Sequence, residues 1–260
     1  MPKVADKSNL GLLGYQINRD SLENLIAQTE QSLFSERGQV VFACANPHSL
    51  AVANSDREFA NALRDAEILV ADGVGVALAN RVFLGADVPR IPGASYFFAL
   101  MHALNQRSLP RPAKVYFLGS TQVVLNEIGR RCSHDFPNVK IVGTLSPPFG
   151  EWSESTEESI RENINKSEAD VLWVGMTAPK QEKWVFRNRR RIAPRAIGSI
   201  GAVFDFYAGT HKRAPEWMVR SGLEWLHRLF INPKRMWRRT FVSVPIFLRE
   251  CVRFHLLKRN

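Results

Sequence analysis

Six apolar, β-branched runs punctuate the chain: VVFACA (40–45), EILVADG (67–73), KVYFLGS (114–120), VKIVGT (139–144), DVLWVGM (170–176) and AIGSIGAVFDF (196–206). Each is apolar at odd and even positions alike, as expected of a strand covered by helices on both faces of a parallel sheet. Between most of them lie segments of helical periodicity, clearest in REFANALRDA (57–66) and TEESIRENINKSE (156–168). This alternation predicts an α/β fold, a mostly parallel sheet flanked by helices. There is no internal repeat and no low-complexity segment.

Ligands of such sheets bind beyond the carboxyl ends of the strands. Those ends read Ala45-Asn46-Pro47-His48, Ala71-Asp72-Gly73, Leu118-Gly119-Ser120, Gly143-Thr144, Gly175-Met176-Thr177 and Asp205 to Gly209. Gly, Ser, Thr, Asn and Asp crowd there. They permit tight turns and bare backbone N–H groups, which suit phosphate.

The last section breaks the pattern. Residues 212–260 carry 12 Lys or Arg against three Glu, whereas residues 1–211 are nearly neutral, with 23 basic against 22 acidic residues. EWLHRLFINPKRMWRRTF (224–241) interleaves aromatic and basic residues, Asn232-Pro233 is a helix start, and Arg235, Arg238 and Arg239 fall at i, i+3 and i+4 on one predicted helix face. FVSVPIFLRECVRFHLL then mixes apolar and basic positions, as a segment lying on a membrane does. The division expected is a core over 1–211 and a basic, helical, aromatic appendage over 212–260 that meets something anionic. No apolar run approaches the roughly 20 residues of a spanning helix. The N-terminus has no secretion-signal core. Three scattered cysteines, Cys44, Cys132 and Cys251, make neither a disulfide framework nor a zinc site, so a reducing cytoplasmic setting is expected.

Four places carry candidate chemistry. Asp72-Gly73-Val74-Gly75 sits where a phosphate-binding glycine loop would, but Leu78 occupies the third glycine position, which argues against a dinucleotide-dependent dehydrogenase. Asp72 is then either a general base or the N-cap of the next helix. Asn46 can bind a sugar hydroxyl or nucleobase edge through donor and acceptor, or simply turn the chain before Pro47; His48 beside it is an acid or base, or more simply an exposed histidine at a turn. In VGMTAPKQEKW (174–184), Lys180 can meet phosphate and Gln181 a nucleotide or sugar, whereas Pro179 and Glu182 fit an ordinary helix start. Arg213, Arg228, Arg235, Arg238 and Arg239 can clamp a diphosphate or face anionic lipid. No histidine has metal-ligand spacing.

Taken in order, ANPHSL (45–50), LVADGVGV (69–76), PRIPG (89–93), VYFLGS (115–120), VGMTAPKQEKW (174–184), GAVFDFYAGTHKRAPEW (201–217) and GLEWLHRLFINPKRMWRR (222–239) resemble the WecG/TagA/CpsF family of glycosyltransferases, glycosyltransferase family 26. The resemblance spans roughly residues 10–240. It implies a Rossmann-like core and an inverting, metal-independent transfer without a cofactor, from a UDP-sugar of N-acetylmannosamine or glucose type to a polyprenyl-diphosphate-linked acceptor. The setting implied is the inner face of the cell membrane, in bacterial surface-polysaccharide synthesis, with the appendage docked on anionic lipid and homo-oligomerisation as a possible control. Residue by residue, Asp72 falls on the family's proposed base, Asn46 on the Asn of its T-x-N motif, Gln181 on the Gln of PKQE, and Arg228, Arg235 and Arg238 on appendage arginines expected to engage diphosphate. Cys44 departs from the pattern, standing where many members have Thr. The rival readings are an inactive membrane-associated scaffold and a nucleic-acid-binding protein. The second fits poorly, because the charge is confined to the tail.

Overall fold

The computed structural model describes residues 11–33, 38–106, 111–211, 214–215, 217–218, 221–231 and 233–259, without the side chains of Arg228, Arg235, Lys258 and Arg259. Six strands form one sheet: β1 (Val40–Ala45), β2 (Ile68–Ala71), β3 (Lys114–Gly119), β4 (Lys140–Leu145), β5 (Val171–Gly175) and β6 (Ala196–Ser199). Their order is β2-β1-β6-β5-β3-β4 and every pairing is parallel. The α/β expectation is met, and all their carboxyl ends point to one edge.

Both faces of the sheet are covered, which explains the continuous apolar runs. On one face, α1 (Leu22–Leu33), α5 (Gly93–Gln106), α6 (Gln122–Asp135) and α9 (Val203–Ala208) pack against Val40, Phe42, Val115, Phe117 and Trp173. Phe42 stacks on Tyr96 with ring centroids 3.7 Å apart, and Trp173 meets Phe97 edge-on at 5.0 Å. On the other face, α2 (Pro47–Ala53), α3 (Arg57–Asp65) and α4 (Val74–Leu84) cover Ala43, Ala45, Leu69 and Ala71. There α7 (Glu154–Lys166) and α8 (Lys180–Asn188) cover Val41, Leu118, Leu172 and Val174. The predicted helices over 57–66 and 156–168 thus appear as α3 and α7.

The sixth apolar run is only half a strand. The chain turns after Ser199 and residues Val203–Ala208 are helical. Phe204 and Tyr207 of that helix are as buried as strand residues, so the hydrophobic run continues through a change of structure that its composition does not signal. The Asp205–Gly209 stretch is consequently the end of a helix, not of a strand.

After residue 221 come α10 (Glu224–Ile231), α11 (Pro233–Trp237), a π-helical turn (Arg238–Val242) and α12 (Ser243–Arg259). Pro233 opens α11 as its missing N–H allows. The last helix lies along α2 and α4: Phe247 and Cys251 are buried with Leu12, Leu50 and Val76, and the His255 ring Nδ1 is 3.0 Å from the Phe83 carbonyl.

Candidate active site

A cavity of about 510 Å³ opens over the carboxyl edge of the sheet. Residues at or just beyond the ends of all six strands line it: Cys44 and Asn46, Asp72, Ser120 and Thr121, Pro147 to Gly150, Gly175 to Ala178, and Ser199 to Val203. A second cavity of about 350 Å³ adjoins it, walled by Pro47, His48, Gly73 to Gly75, Arg90 and the appendage residues Trp225, Met236, Thr240 and Val244. Asn46, Asp72, Pro92, Glu224 and Arg239 line both. Asp72 therefore stands on the wall between a polar chamber and a more apolar one.

The backbone explains that placement. The Asp72 N–H donates to the Ala45 carbonyl at 2.8 Å, carrying the β1–β2 pairing one residue past the strand. Gly73 follows with φ +90° and is itself the N-cap of α4, with no side-chain cap bond. The capping role open to Asp72 in the sequence thus falls to the glycine, whose lack of Cβ permits that φ.

Asn46 keeps both of its sequence readings. Its Oδ1 accepts the Ser49 N–H at 2.9 Å, and the Ser49 hydroxyl accepts the Asn46 N–H at 2.8 Å, a capping box that fixes α2. The donor left for a ligand is Nδ2. His48, read from the sequence as exposed, is half-buried: its Nδ1 lies 2.8 Å from the Ser243 hydroxyl, and burial and Arg239 hold its pKa down to about 4.

The VGMTAPKQEKW loop closes another wall, with a cis peptide bond at Ala178–Pro179. The Lys180 ammonium donates to the Gly150 carbonyl at 2.5 Å and lies 3.9 Å above the Trp152 ring, which ties the β4–α7 loop to the cavity rim. Gln181 is buried and oriented: Oε1 accepts the Met176 N–H at 3.2 Å and Nε2 donates to Glu182 Oε1 at 2.8 Å. Glu182 does stand in the first turn of α8, as its fit to an ordinary helix start implies. Its side chain turns inward, 6 % exposed, with Oε2 unbonded, and burial raises its pKa to about 7. The Ser199 hydroxyl, also on the cavity lining, is likewise buried without a partner.

Cys44 lines the same chamber, its sulfur accepting the Gly93 N–H at the start of α5. Burial and the nearby carboxylates of Asp72 and Glu182 raise its pKa well above the usual thiol value, so it stays a neutral, weakly polar group.

Other predicted residues lie elsewhere. Gly119 is buried behind the cavity. It has φ +123°, and a Cβ there would come within 2.5 Å of the Gly175 carbonyl oxygen; Ser120 and Thr121 beyond it form the lining. Arg213 lies outside the described residues, as do the side chains of Arg228 and Arg235. Arg238 is exposed, and its neighbour Arg239 reaches both cavities. The expected i, i+3, i+4 face cannot be followed from Arg235, whose side chain lies outside the described ones; a π turn begins at Arg238. Glu182, Ser199 and His48 are thus the residues whose positions sequence pattern alone did not reveal, whereas Arg239 is a candidate there.

With this geometry in place, comparison with known proteins decides the family. A model of the glycosyl transferase WecG/TagA/CpsF family matches residues 10–260. The chain belongs to that family. It is similar to an N-acetylglucosaminyldiphosphoundecaprenol N-acetyl-β-D-mannosaminyltransferase of Bacillus subtilis, 28% identical over 226 residues, covering 86% of this chain and 84% of the relative. A Staphylococcus aureus protein of the same name is 25% identical over 249 residues, 94% of each chain. This WecG/TagA/CpsF protein is accordingly a glycosyltransferase. The two chambers, with Asp72 between them, are its candidate active site.

Proposed function

We propose that the protein transfers a sugar of N-acetylmannosamine or glucose type from a UDP-sugar to a polyprenyl-diphosphate-linked sugar. The observation that carries this reading is Asp72 on the wall shared by the two chambers. The larger chamber takes the nucleotide-sugar. Its size lies in the range of small-ligand sites, and the glycine-containing turns at the strand ends line it. The smaller, more apolar chamber takes the acceptor, whose lipid-linked end runs along Trp225, Met236 and Val244.

In the transfer, an acceptor hydroxyl attacks the anomeric carbon from the side opposite the phosphate. The new C–O bond forms as the C–O bond to UDP breaks, UDP takes the electron pair, and the hydroxyl proton passes to Asp72. The anomeric configuration inverts. Asp72 acts as general base, and N–H groups and arginine stabilise the departing charge. The transfer is written without a metal ion, as the family resemblance implies. Asn46 and Gln181 border the sugar, and Lys180 holds the rim. Arg228, Arg235 and Arg238 remain proposed contacts to the acceptor diphosphate or to lipid.

Residues 212–260 form the docking appendage in this reading. Leu248, Val252, Leu256 and Leu257 of α12 are exposed, and Trp217, Trp225, Phe230, Trp237 and Phe241 add exposed aromatic surface amid basic residues. No helix among the described residues is long and apolar enough to cross a membrane. An amphipathic, cationic surface of this kind lies in the headgroup region of an anionic bilayer, which supports action at the inner face of the cell membrane.

A UDP-release assay tests the reading, with a panel of UDP-sugars and a short-chain lipid-diphosphate N-acetylglucosamine. Acceptor-dependent release that persists in EDTA is expected. Release abolished by EDTA, or no release with any donor and acceptor, contradicts it.

A further inference from the structure

The contact between His48 and Ser243 joins residues 195 positions apart across the boundary between the β1–α2 loop and the appendage. His48 stands two residues after Asn46, on the first turn of α2. Ser243 is 7 % exposed and closes the π turn: its N–H donates to the Arg238 carbonyl, and its hydroxyl lies 3.3 Å from the same oxygen. The π turn decides which arginine faces the site. Arg239 lines both chambers, and Arg238 next to it faces solvent. If α11 continued into α12 as regular α-helix, the register of the two arginines would change by about a quarter of a turn.

The proton inventory fits a fixed bond. A serine hydroxyl has one proton to give and an imidazole Nδ1 either donates or accepts according to tautomer. When Ser243 donates to the Arg238 carbonyl, His48 donates Nδ1–H to the serine oxygen; when Ser243 donates to Nδ1, the ring accepts. Either way a neutral imidazole suffices, and His48 is neutral at ordinary pH because burial and Arg239 oppose its protonation.

We propose that His48 is a positioning residue for the transfer reaction: through Ser243 it fixes the π turn of the appendage, and so holds Arg239 on the wall between the two chambers, against the anionic oxygens of the lipid-linked acceptor. The part that concerns the acceptor rests on the proposed function above; the part that concerns the turn does not. His48 touches no reacting atom. It couples the docking of the appendage to the completion of the site, because the loop that carries Asn46 and the turn that carries Arg239 are registered by one hydrogen bond.

The test uses the full chain, with His48→Ala, His48→Asn, His48→Gln, Ser243→Ala and the double variant His48→Ala/Ser243→Ala. The Asn carboxamide reaches the position of Nδ1, whereas that of Gln reaches the position of Nε2, so Asn alone restores the contact. With the short-chain lipid-diphosphate acceptor, His48→Ala and Ser243→Ala are expected to raise the acceptor KM about tenfold each, with the UDP-sugar KM within about twofold of wild type. The double variant is expected to be no worse than either single one, since both remove the same bond. Hydrogen exchange gives a readout free of catalysis: amides 238–243 lose protection in His48→Ala and regain it in His48→Asn, while strands β1 and β6 keep theirs.

Unchanged exchange at 238–243 in both single Ala variants overturns the proposal. So does full rescue by His48→Gln, or an additive loss in the double variant. Should wild type turn over no donor with any acceptor, the proposed function fails, and the exchange experiment still decides whether His48 sets the turn.

Discussion

Glu182 shows how a single side chain can belie its sequence context. A glutamate in the first turn of a helix ordinarily faces water and complements the dipole. Here the first turn of α8 abuts the cavity, and the carboxyl is buried with one oxygen unbonded. Its pKa, raised by burial to about 7 from the ordinary glutamate value of 4.5, makes the folded state bind a proton that the unfolded state has released between those values. The contribution to stability is therefore complete below pH about 4.5 and is lost as pH rises to about 7, on the order of 3 kcal/mol in all. Denaturant titrations across this window should show wild-type stability falling with pH and Glu182→Gln with a flatter profile. Identical slopes would mean that Glu182 is ionised in the folded protein. Cys44 gives a second expectation at this scale. With its thiolate disfavoured by burial and by two neighbouring carboxylates, iodoacetamide should alkylate it at least about tenfold more slowly than a free thiol at neutral pH, as read by peptide mass mapping. Neither environment is visible in the sequence, because both depend on which strand ends meet.

The elements were more legible than the residues. All six apolar runs contain a strand, and five of them are strand throughout their core, since a strand covered on both faces leaves a run with no polar alternation. The sixth misled because Val203–Ala208 stays apolar through a turn into α9. Which of the two neighbouring arginines, Arg238 and Arg239, lines the cavities was not legible, because a π turn, which leaves no mark in hydrophobic periodicity, interrupts the appendage at that point. The glycines at strand ends were legible as turn formers, yet Gly119 works by close approach, not by contact with a ligand. Gly119→Ala must place a Cβ against the Gly175 carbonyl at a φ of +123°. Thermal or denaturant unfolding should register a loss of about 2–4 kcal/mol. A loss below about 0.5 kcal/mol would show that β3 and β5 do not close together as described.

At the scale of the whole molecule, charge and shape divide the work. The nearly neutral sheet edge builds two chambers, and the basic appendage closes one of them while turning its own apolar stripe outward. The charge asymmetry in the sequence points to a division of this kind but not to the seat of α12, whose Phe247 and Cys251 are buried while Leu248 and Val252 are exposed. Replacing Leu248 and Leu256 with Ser should leave the fold intact and weaken binding to phosphatidylglycerol vesicles by at least about tenfold in co-sedimentation. Undiminished binding would move the docking surface elsewhere.

The claim on which the chemistry turns is that Asp72, between the chambers, takes the acceptor proton. Its most direct test is the turnover of Asp72→Asn beside wild type, with UDP affinity and thermal unfolding measured on the same preparations. The account predicts that kcat falls about 10²–10⁴-fold, while UDP binds as before and the fold is retained. Near-normal turnover in a correctly folded variant would contradict it and pass the base's role to another group on the shared wall.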